Sequence, residues 1–322
     1  MDIRVFEGLF GVLLISSLYV IYQQDIILTI AGVIGVYIGF RIIKSRNKTV
    51  VPYSNKTVLI TGCDTGIGHN IAVRLGKKGV TVLACCLSAT SPGGEKLKSI
   101  GSNVHVLDTD VTSEDSVQNC LKFVKTICDK KGLWAIVNNA GIVRCGDVEL
   151  TTMEVYSQII QVNLFGMIRV CKAFLPLVRQ AKGRVVNVTS VRGIIAYPAF
   201  SAYSMSKFAA EAFSDSLRME MSRFGVKVII VEPGNYGGAT ALWEEENVND
   251  MNAAASPDVL NTYGNGYLHR LAMNGIEGCS TTYPNLIPVS DVLEDAIFNQ
   301  KPESRYLIDG SNKLYDIDCV SM

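Results

Sequence analysis

The pattern of apolar and polar positions changes character near residue 55. Before it, 8–22 (GLFGVLLISSLYVIY) and 26–40 (IILTIAGVIGVYIGF) carry no charge, are separated by Gln23, Gln24 and Asp25, and give way to Arg41, Lys44, Arg46 and Lys48. Each run is shorter than the roughly 20 residues that span a bilayer, and Val5, Phe6, Ile42 and Ile43 lengthen them. A cleaved signal peptide fits poorly. Its n-region would offer only Arg4, offset by Asp2 and Glu7, and a second apolar run follows at once. Residues 1–48 therefore read as a retained membrane anchor, either a hairpin or one span with an interfacial segment. The stretch is neither Arg-rich nor amphipathic, as a mitochondrial presequence would be.

After residue 55, short β-branched runs alternate with amphipathic stretches. The runs at 57–61 (TVLIT), 81–86 (TVLACC), 103–107 (NVHVL), 133–138 (LWAIVN), 184–189 (RVVNVT) and 227–232 (KVIIVE) are strand-like. Their near-continuous apolar character suits parallel strands buried on both faces. Helices are expected at 66–78, 113–130, 153–181 and 201–224, the second opened by a capping box of Thr112 and Asp115 and closed by Gly132. Alternating β and α predicts an α/β fold with a Rossmann-like doubly wound parallel sheet over 55–322. Residues 235–288, with scattered Gly, Asn and Tyr, break the alternation and read as a lid.

Composition narrows the classes. Thirty basic against thirty acidic residues in 322 leave no net charge, which argues against a nucleic-acid partner. A content that is 48% hydrophobic supports a large core and excludes global disorder. Nine cysteines without a C-x-x-C pair read as reduced thiols of a cytosol-like compartment. His69, His105 and His269 lack ligand spacing, so no metal is expected.

Two motifs suggest chemistry. Thr61–Thr65 with Gly66, Ile67 and Gly68 (TGCDTGIG) follows the first strand and opens a helix. Glycines there let backbone approach a pyrophosphate at a helix N-terminus, although the spacing G-x-x-x-G-x-G is looser than G-x-G-x-x-G. The acid expected about 20 positions on is missing: Cys85, Cys86 and Leu87 stand there, with no cation for a 2′-phosphate. NAD is the expected cofactor, with NADP left open. Tyr203 and Lys207 lie at i, i+4 on one helix face. An ammonium near a phenol favours the phenolate, which could take a hydroxyl proton as hydride leaves the same carbon. Such a pair also occurs on many solvated helices. Its company is less ordinary: Ser190, the Asn138-Asn139-Ala140-Gly141 run, Asp110 and Pro233-Gly234 all fall at strand ends of one sheet edge, with Asn163 in a helix.

Over about residues 56–242 this set resembles the short-chain dehydrogenases/reductases. TGCDTGIGH, LWAIVNNAG, GRVVNVTS and EAFSDSL narrow the likeness to the branch of retinol dehydrogenases, 17β-hydroxysteroid dehydrogenases and D-3-hydroxybutyrate dehydrogenase. GDVEL at 146–150 and Pro233-Gly234-Asn235 lean toward the last. The resemblance implies that Tyr203 is the general acid/base and Lys207 its pKa tuner and ribose ligand. It gives Ser190 the substrate oxygen and Asn163 a proton-relay water. Gly62, Thr65, Gly66, Ile67 and Gly68 would hold the pyrophosphate and Asp110 with Val111 the adenine. Asn138, Ala140 and Gly141 would line the cofactor floor, with Pro233 and Gly234 also at the cofactor. The apolar anchor and the polar tail after Ile308 depart from the hydroxybutyrate pattern.

Three functions compete: a membrane-anchored oxidoreductase of a lipophilic alcohol such as a hydroxysteroid or retinol, the same chemistry on 3-hydroxybutyrate, and a nucleotide-binding scaffold without catalysis. The intact Asn163, Ser190, Tyr203 and Lys207 argue against the third. A small acid would need a cation near Ser190, for which Arg144 and Arg192 are candidates. The anchor and an apolar lid (Ala239, Ala241, Leu242, Trp243, Tyr263, Tyr267, Leu268) tilt toward the lipophilic alcohol. Expected partners are a small alcohol or ketone, membrane lipid and, as an open alternative, a second copy of the chain. The expected location is the endoplasmic reticulum membrane with the catalytic domain in the cytosol, the mitochondrial membrane being the alternative.

Overall fold

Continuous apolar runs bounded by glycine and polar turns become strands of one parallel sheet in the computed structural model, which describes residues 3–21, 26–46, 49–239, 256–264, 266–267, 270 and 285–308. The chain divides into two units, Met1–Val50 and Val51–Met322. In the first, helices α1 (Ile3–Ile21) and α2 (Ile26–Arg46) carry the apolar runs. Val12, Ile15, Tyr19 and Leu28 are exposed on them, and the stretches Phe10–Tyr19 and Leu28–Gly39 are apolar but short for a span. The linker Gln23–Asp25 and Lys48 lie outside the described residues.

The second unit contains β1 (Thr57–Thr61), α3 (Gly66–Lys77), β2 (Thr81–Cys86), α4 (Pro92–Lys98), β3 (Val104–Asp108), α5 (Glu114–Cys128), β4 (Ala135–Asn138), α6 (Met153–Ile160), a π-helical segment (Gln161–Gly166) and α7 (Met167–Ala181). β5 (Arg184–Val188), α8 (Ser201–Ser222), β6 (Lys227–Pro233), α9 (Pro257–Tyr263), α10 (Ile287–Phe298) and β7 (Arg305–Ile308) follow. The strands pair in parallel in the order β3-β2-β1-β4-β5-β6-β7. This is the doubly wound sheet that the alternation predicts. Alternate residues of β1 face opposite layers. Val58 and Ile60 join Ile71 and Leu75 of α3 and Leu293 and Ile297 of α10. Leu59 joins Val117 of α5, Phe174 of α7 and Leu217 of α8.

Several local expectations change. The single helix expected at 153–181 is α6, the π segment and α7, with Val170, Phe174 and Val178 of α7 buried in the core. The α5 cap is Ser113, whose Oγ accepts from Ser116 N–H at 3.2 Å. Thr112 does not form the capping box, because its hydroxyl donates to Asp110 Oδ1 at 2.7 Å. Gly132 does turn the chain at φ +71°, where a Cβ would lie 2.5 Å from Leu177 O. The stretch 235–288 contains α9 and ends in the first turn of α10. Of the expected lid residues, Ala241, Leu242, Trp243 and Leu268 fall outside the described residues. Ala239 packs on the core, while Tyr263 and Tyr267 direct their phenols to Glu149 Oε2 (3.2 Å) and the Asp147 carboxylate. The seven described cysteines are buried, and no disulfide forms among the described residues.

Candidate active site

Because every strand runs the same way, all strand ends meet at one edge, and the strand order reverses between β1 and β4. Gly62 (φ +69°) and Gly66 (φ +63°) make the turn after β1 in a conformation that other L-residues rarely adopt. A Cβ on Gly62 would stand 2.8 Å from Ala140 Cα, and one on Gly68 2.3 Å from Gly62 O. The turn thus lies under the chain that leaves β4, and only glycine fits there. Thr65 precedes α3 without a side-chain cap, and the first turn holds no acid. Main-chain N–H groups and a positive helix end are thereby left for an anion. These features fit the pyrophosphate of a dinucleotide, which Gly62, Thr65, Gly66, Ile67 and Gly68 would hold.

Thr61 and Asn139 bind the two halves of this floor together. Thr61 Oγ1 accepts from Asn139 and Ala140 N–H at 3.0 Å each, and Asn139 Nδ2 donates to Thr61 O (2.9 Å) and Gly62 O (3.1 Å). Asn138, expected at the cofactor floor, instead turns its amide into the interior. It donates to Asn187 Oδ1 at 2.8 Å and Cys171 Sγ at 3.2 Å, and Asn187 in turn donates to Ser214 Oγ. Asp110 accepts from Thr112 N–H at 2.8 Å in a local turn, and buried Val111 packs on Gly166 of the π segment.

The four expected catalytic side chains come from three segments: the π segment, the end of β5 and α8. Asn163, 1% exposed in the π segment, accepts from Ile142 N–H at 2.8 Å and donates to Ile142 O (2.9 Å) and Ser206 Oγ (3.0 Å). Both amide hydrogens are committed to the protein. Buried Ser190, just past β5, donates to Pro233 O at 3.3 Å and accepts from Arg192 N–H at 3.2 Å. Tyr203 and Lys207 stand one turn apart in α8. The Lys207 ammonium is buried, donates to Val188 O at 3.1 Å and lies 5.5 Å from the Tyr203 ring centre. A Cβ on Gly141 would come within 3.7 Å of it.

Burial pushes the Tyr203 phenol up to about 12, while hydrogen bonding from Ser190 and the Arg192 cation pull it down and Cys145 adds to the rise. Burial also pushes the Lys207 ammonium down to about 8, with Glu211 opposing that shift. Of the two arginines near the site, Arg144 donates to the adjacent Val143 O at 3.0 Å. Arg192 stacks on Tyr197 and Phe200, 4.3 and 5.5 Å from their ring centres. Sequence alone did not single out Asn139 or Thr61, or Arg192 as an influence on Tyr203. A further side chain it passed over is Asp64, whose carboxylate accepts from Leu87 N–H at 2.9 Å and Ser88 N–H at 3.2 Å beyond β2.

Comparison with known proteins agrees with this arrangement. A family model described as short chain dehydrogenase matches residues 56–250. The chain is 40% identical over 268 residues to the mitochondrial D-beta-hydroxybutyrate dehydrogenase of Bos taurus, covering 80% of this chain and 78% of that one. It is 39% identical to 17-beta-hydroxysteroid dehydrogenase type 6 of Bos taurus and 38% to retinol dehydrogenase 16 of Rattus norvegicus, each over 87% of this chain and 88% of the relative. Among solved structures, a short-chain dehydrogenase from Streptomyces avermitilis superposes with a TM-score of 0.64 at 27% identity, over 79% of this chain and 88% of its own. The chain belongs to the short-chain dehydrogenases, NAD(P)-dependent oxidoreductases acting on CH–OH groups.

Proposed function

We propose that Ser190, Tyr203 and Lys207, with Asn163 behind them, oxidise or form the hydroxyl of a lipophilic alcohol of hydroxysteroid or retinol type. The observation that carries the lipophilic reading is the segment between Ser190 and α8, where Ile194, Ile195 and Tyr197 are 46%, 52% and 43% exposed. An apolar rim of this kind favours an apolar substrate body. When bound, the nicotinamide supplies the hydride acceptor or donor. Ser190 Oγ holds the substrate oxygen. Tyr203 takes the hydroxyl proton as the carbon–hydrogen bond breaks, or returns it to a carbonyl in the reverse direction. Burial holds the Tyr203 phenol up, at about 12, against the pull of Ser190 and Arg192. Lys207 holds the Val188 carbonyl and so fixes the helix turn bearing Tyr203, and its remaining hydrogens face Gly141, where a ribose would lie. With both amide hydrogens of Asn163 spent, a relay water would be accepted by its main-chain carbonyl.

A second reading has its own observation. The Arg192 guanidinium, lying over the Tyr197 and Phe200 rings and acting on Tyr203, is a cation suited to receive the carboxylate of a hydroxy acid. The apolar helices α1 and α2 support anchoring at a membrane, which we place in the endoplasmic reticulum with the enzyme unit in the cytosol. Full-length enzyme in detergent, assayed with NAD and with NADP against a 17β-hydroxysteroid, all-trans-retinol and 3-hydroxybutyrate, separates the readings. We expect the steroid or retinol to exceed 3-hydroxybutyrate in kcat/KM at least tenfold. Tyr203→Phe should lower turnover by about 10²- to 10⁴-fold while cofactor binding persists. Preference for 3-hydroxybutyrate, abolished in Arg192→Leu, would establish the second reading, and an active Tyr203→Phe would refute the catalytic assignment.

A further inference from the structure

The acid expected at the end of β2 is absent from the sequence there, yet an acid occupies that place in space. Asp64 belongs to the glycine turn after β1, 23 positions before Leu87. Its two carboxylate oxygens nevertheless accept from Leu87 and Ser88 N–H at 2.9 and 3.2 Å, directly beyond Cys86. The contact is built from several sides. Ser91 Oγ donates to the same carboxylate at 3.4 Å. Gly93, where a Cβ would stand 1.8 Å from Asp64 O, lets α4 close on the turn. A second carboxylate, Asp108 at the end of β3, accepts from Ala89 N–H at 2.6 Å. Burial first, then Asp64 and Asp108, push the neighbouring Cys86 thiol up to about 12. Lys98, the one cation acting on that thiol, is paired with Glu95 at 2.7 Å. The end of β2 is thus lined by negative charge, although its own residues carry none.

We infer that Asp64 is the cofactor-specificity residue: its carboxylate receives the adenosine ribose 2′-hydroxyl and repels a 2′-phosphate, making the enzyme prefer NAD. In doubly wound folds an acid at this place accepts from the 2′-hydroxyl, whereas a 2′-phosphate needs a cation. Carboxylate oxygens have lone pairs to spare after two main-chain bonds, and Asp64 is only partly buried, so the carboxylate is open to a ligand. The inference rests on the dinucleotide reading of the β1–α3 turn, and the two are separable by binding alone. Calorimetry of the full-length protein would use 5′-AMP and adenosine 2′,5′-bisphosphate, alongside kcat/KM for NAD and NADP. Wild type should bind 5′-AMP at least tenfold more tightly than the bisphosphate. Asp64→Asn should cut that ratio and the NAD/NADP ratio at least tenfold. Asp64→Asn loses one of the two main-chain bonds, so Leu87→Arg provides an independent variant at a position 71% exposed. It should raise bisphosphate affinity at least fivefold and leave 5′-AMP unchanged. Failure of wild type to bind 5′-AMP would refute the dinucleotide reading itself. Intact 5′-AMP binding with both ligands changed equally in Asp64→Asn, or with no bisphosphate gain in Leu87→Arg, would overturn the role of Asp64 alone.

Discussion

Lys207 shows what the site costs at the scale of one residue. Its ammonium is 4% exposed and has one hydrogen-bond acceptor among the described contacts, the Val188 carbonyl. Burial pushes it from an ordinary 10.5 to about 8, so the folded state binds its proton less tightly than the unfolded chain does. Below pH 8 both states are protonated and folding carries the whole penalty of burying the charge. Between about 8 and 10.5 the unfolded chain holds more proton, so stability rises with pH. Lys207→Met removes the charge and keeps the volume. At pH 7 the variant should be more stable by about 1–2 kcal/mol, after the lost Val188 bond is deducted, or several degrees in Tm. The gap should close as pH rises from 8 toward 10.5 while turnover stays abolished. Paired melting curves of wild type and variant across that range test it. A variant less stable at pH 7 would mean that the ammonium is well compensated where it sits. Burial acts on Tyr203 in the same way, and Ser190 and Arg192, which arrive from a different segment, oppose it.

Among the elements, β7 is joined to the rest through Arg305. Its guanidinium meets the Glu211 carboxylate of α8, Glu232 Oε1 of β6 at 2.7 Å and Asp215 Oδ2 of α8 at 2.6 Å. The Glu232 side chain is 3% exposed, and burial and Glu211 raise its carboxyl against the pull of Arg305. Arg305→Ala would leave two carboxylates facing each other. The loss at pH 8 should be about 2–3 kcal/mol, under the ~3–5 of a fully buried pair because the Arg305 side chain is 37% exposed. Without the cation the Glu232 carboxyl rises further, so its proton is held in the folded state and stability falls as pH climbs through that value. Denaturation at pH 5 should therefore show a smaller deficit than at pH 8, and an equal deficit at both would assign the loss to packing. This same strand was hidden in the sequence, and the reason is physical. The strands β1, β2, β4, β5 and β6 are almost wholly buried and announce themselves as apolar runs, whereas β7 is a four-residue edge strand with mixed exposure. The α4 helix contains two glycines that local propensity disfavours, and α10 lies beside a stretch whose Gly and Asn content resembles a loop. The residues of the site were legible by type and strand-end position. Asp64 was not, because the bonds that give it meaning reach across from one strand end to the next.

The whole molecule joins an enzyme unit to two apolar helices, and the charge at the end of α2 predicts which side of a membrane the unit would face. Arg41, Lys44 and Arg46 occupy the last turns of α2, directly after the apolar stretch Leu28–Gly39. Basic residues so placed hold their flank on the cytoplasmic side of a membrane. If both helices cross, the N-terminus with Arg4 is cytosolic too. If α2 alone crosses, the N-terminus moves to the lumen, but the enzyme unit does not. The prediction is thus independent of the number of spans. Seven buried cysteines with no disulfide among the described residues suit a reducing compartment, although burial alone would slow their oxidation anywhere. The chain carries its own reporters of the opposite orientation, since Asn47-Lys48-Thr49, Asn55-Lys56-Thr57 and Asn187-Val188-Thr189 fit the N-x-[ST] acceptor pattern. Asn187 is 0% exposed and bonded to Asn138 and Ser214 inside the sheet, so it cannot accept a glycan once folded. Asn47 follows α2 too closely to reach a luminal enzyme from the bilayer surface. Asn55 is exposed in a turn at φ +59° before β1 and is the informative site. Expressed in cells, the protein should show no glycosidase-sensitive shift, and protease added to intact microsomes should digest the enzyme unit. A shift that disappears in Asn55→Gln, together with protease resistance until detergent is added, would put the unit in the lumen and reverse the assignment.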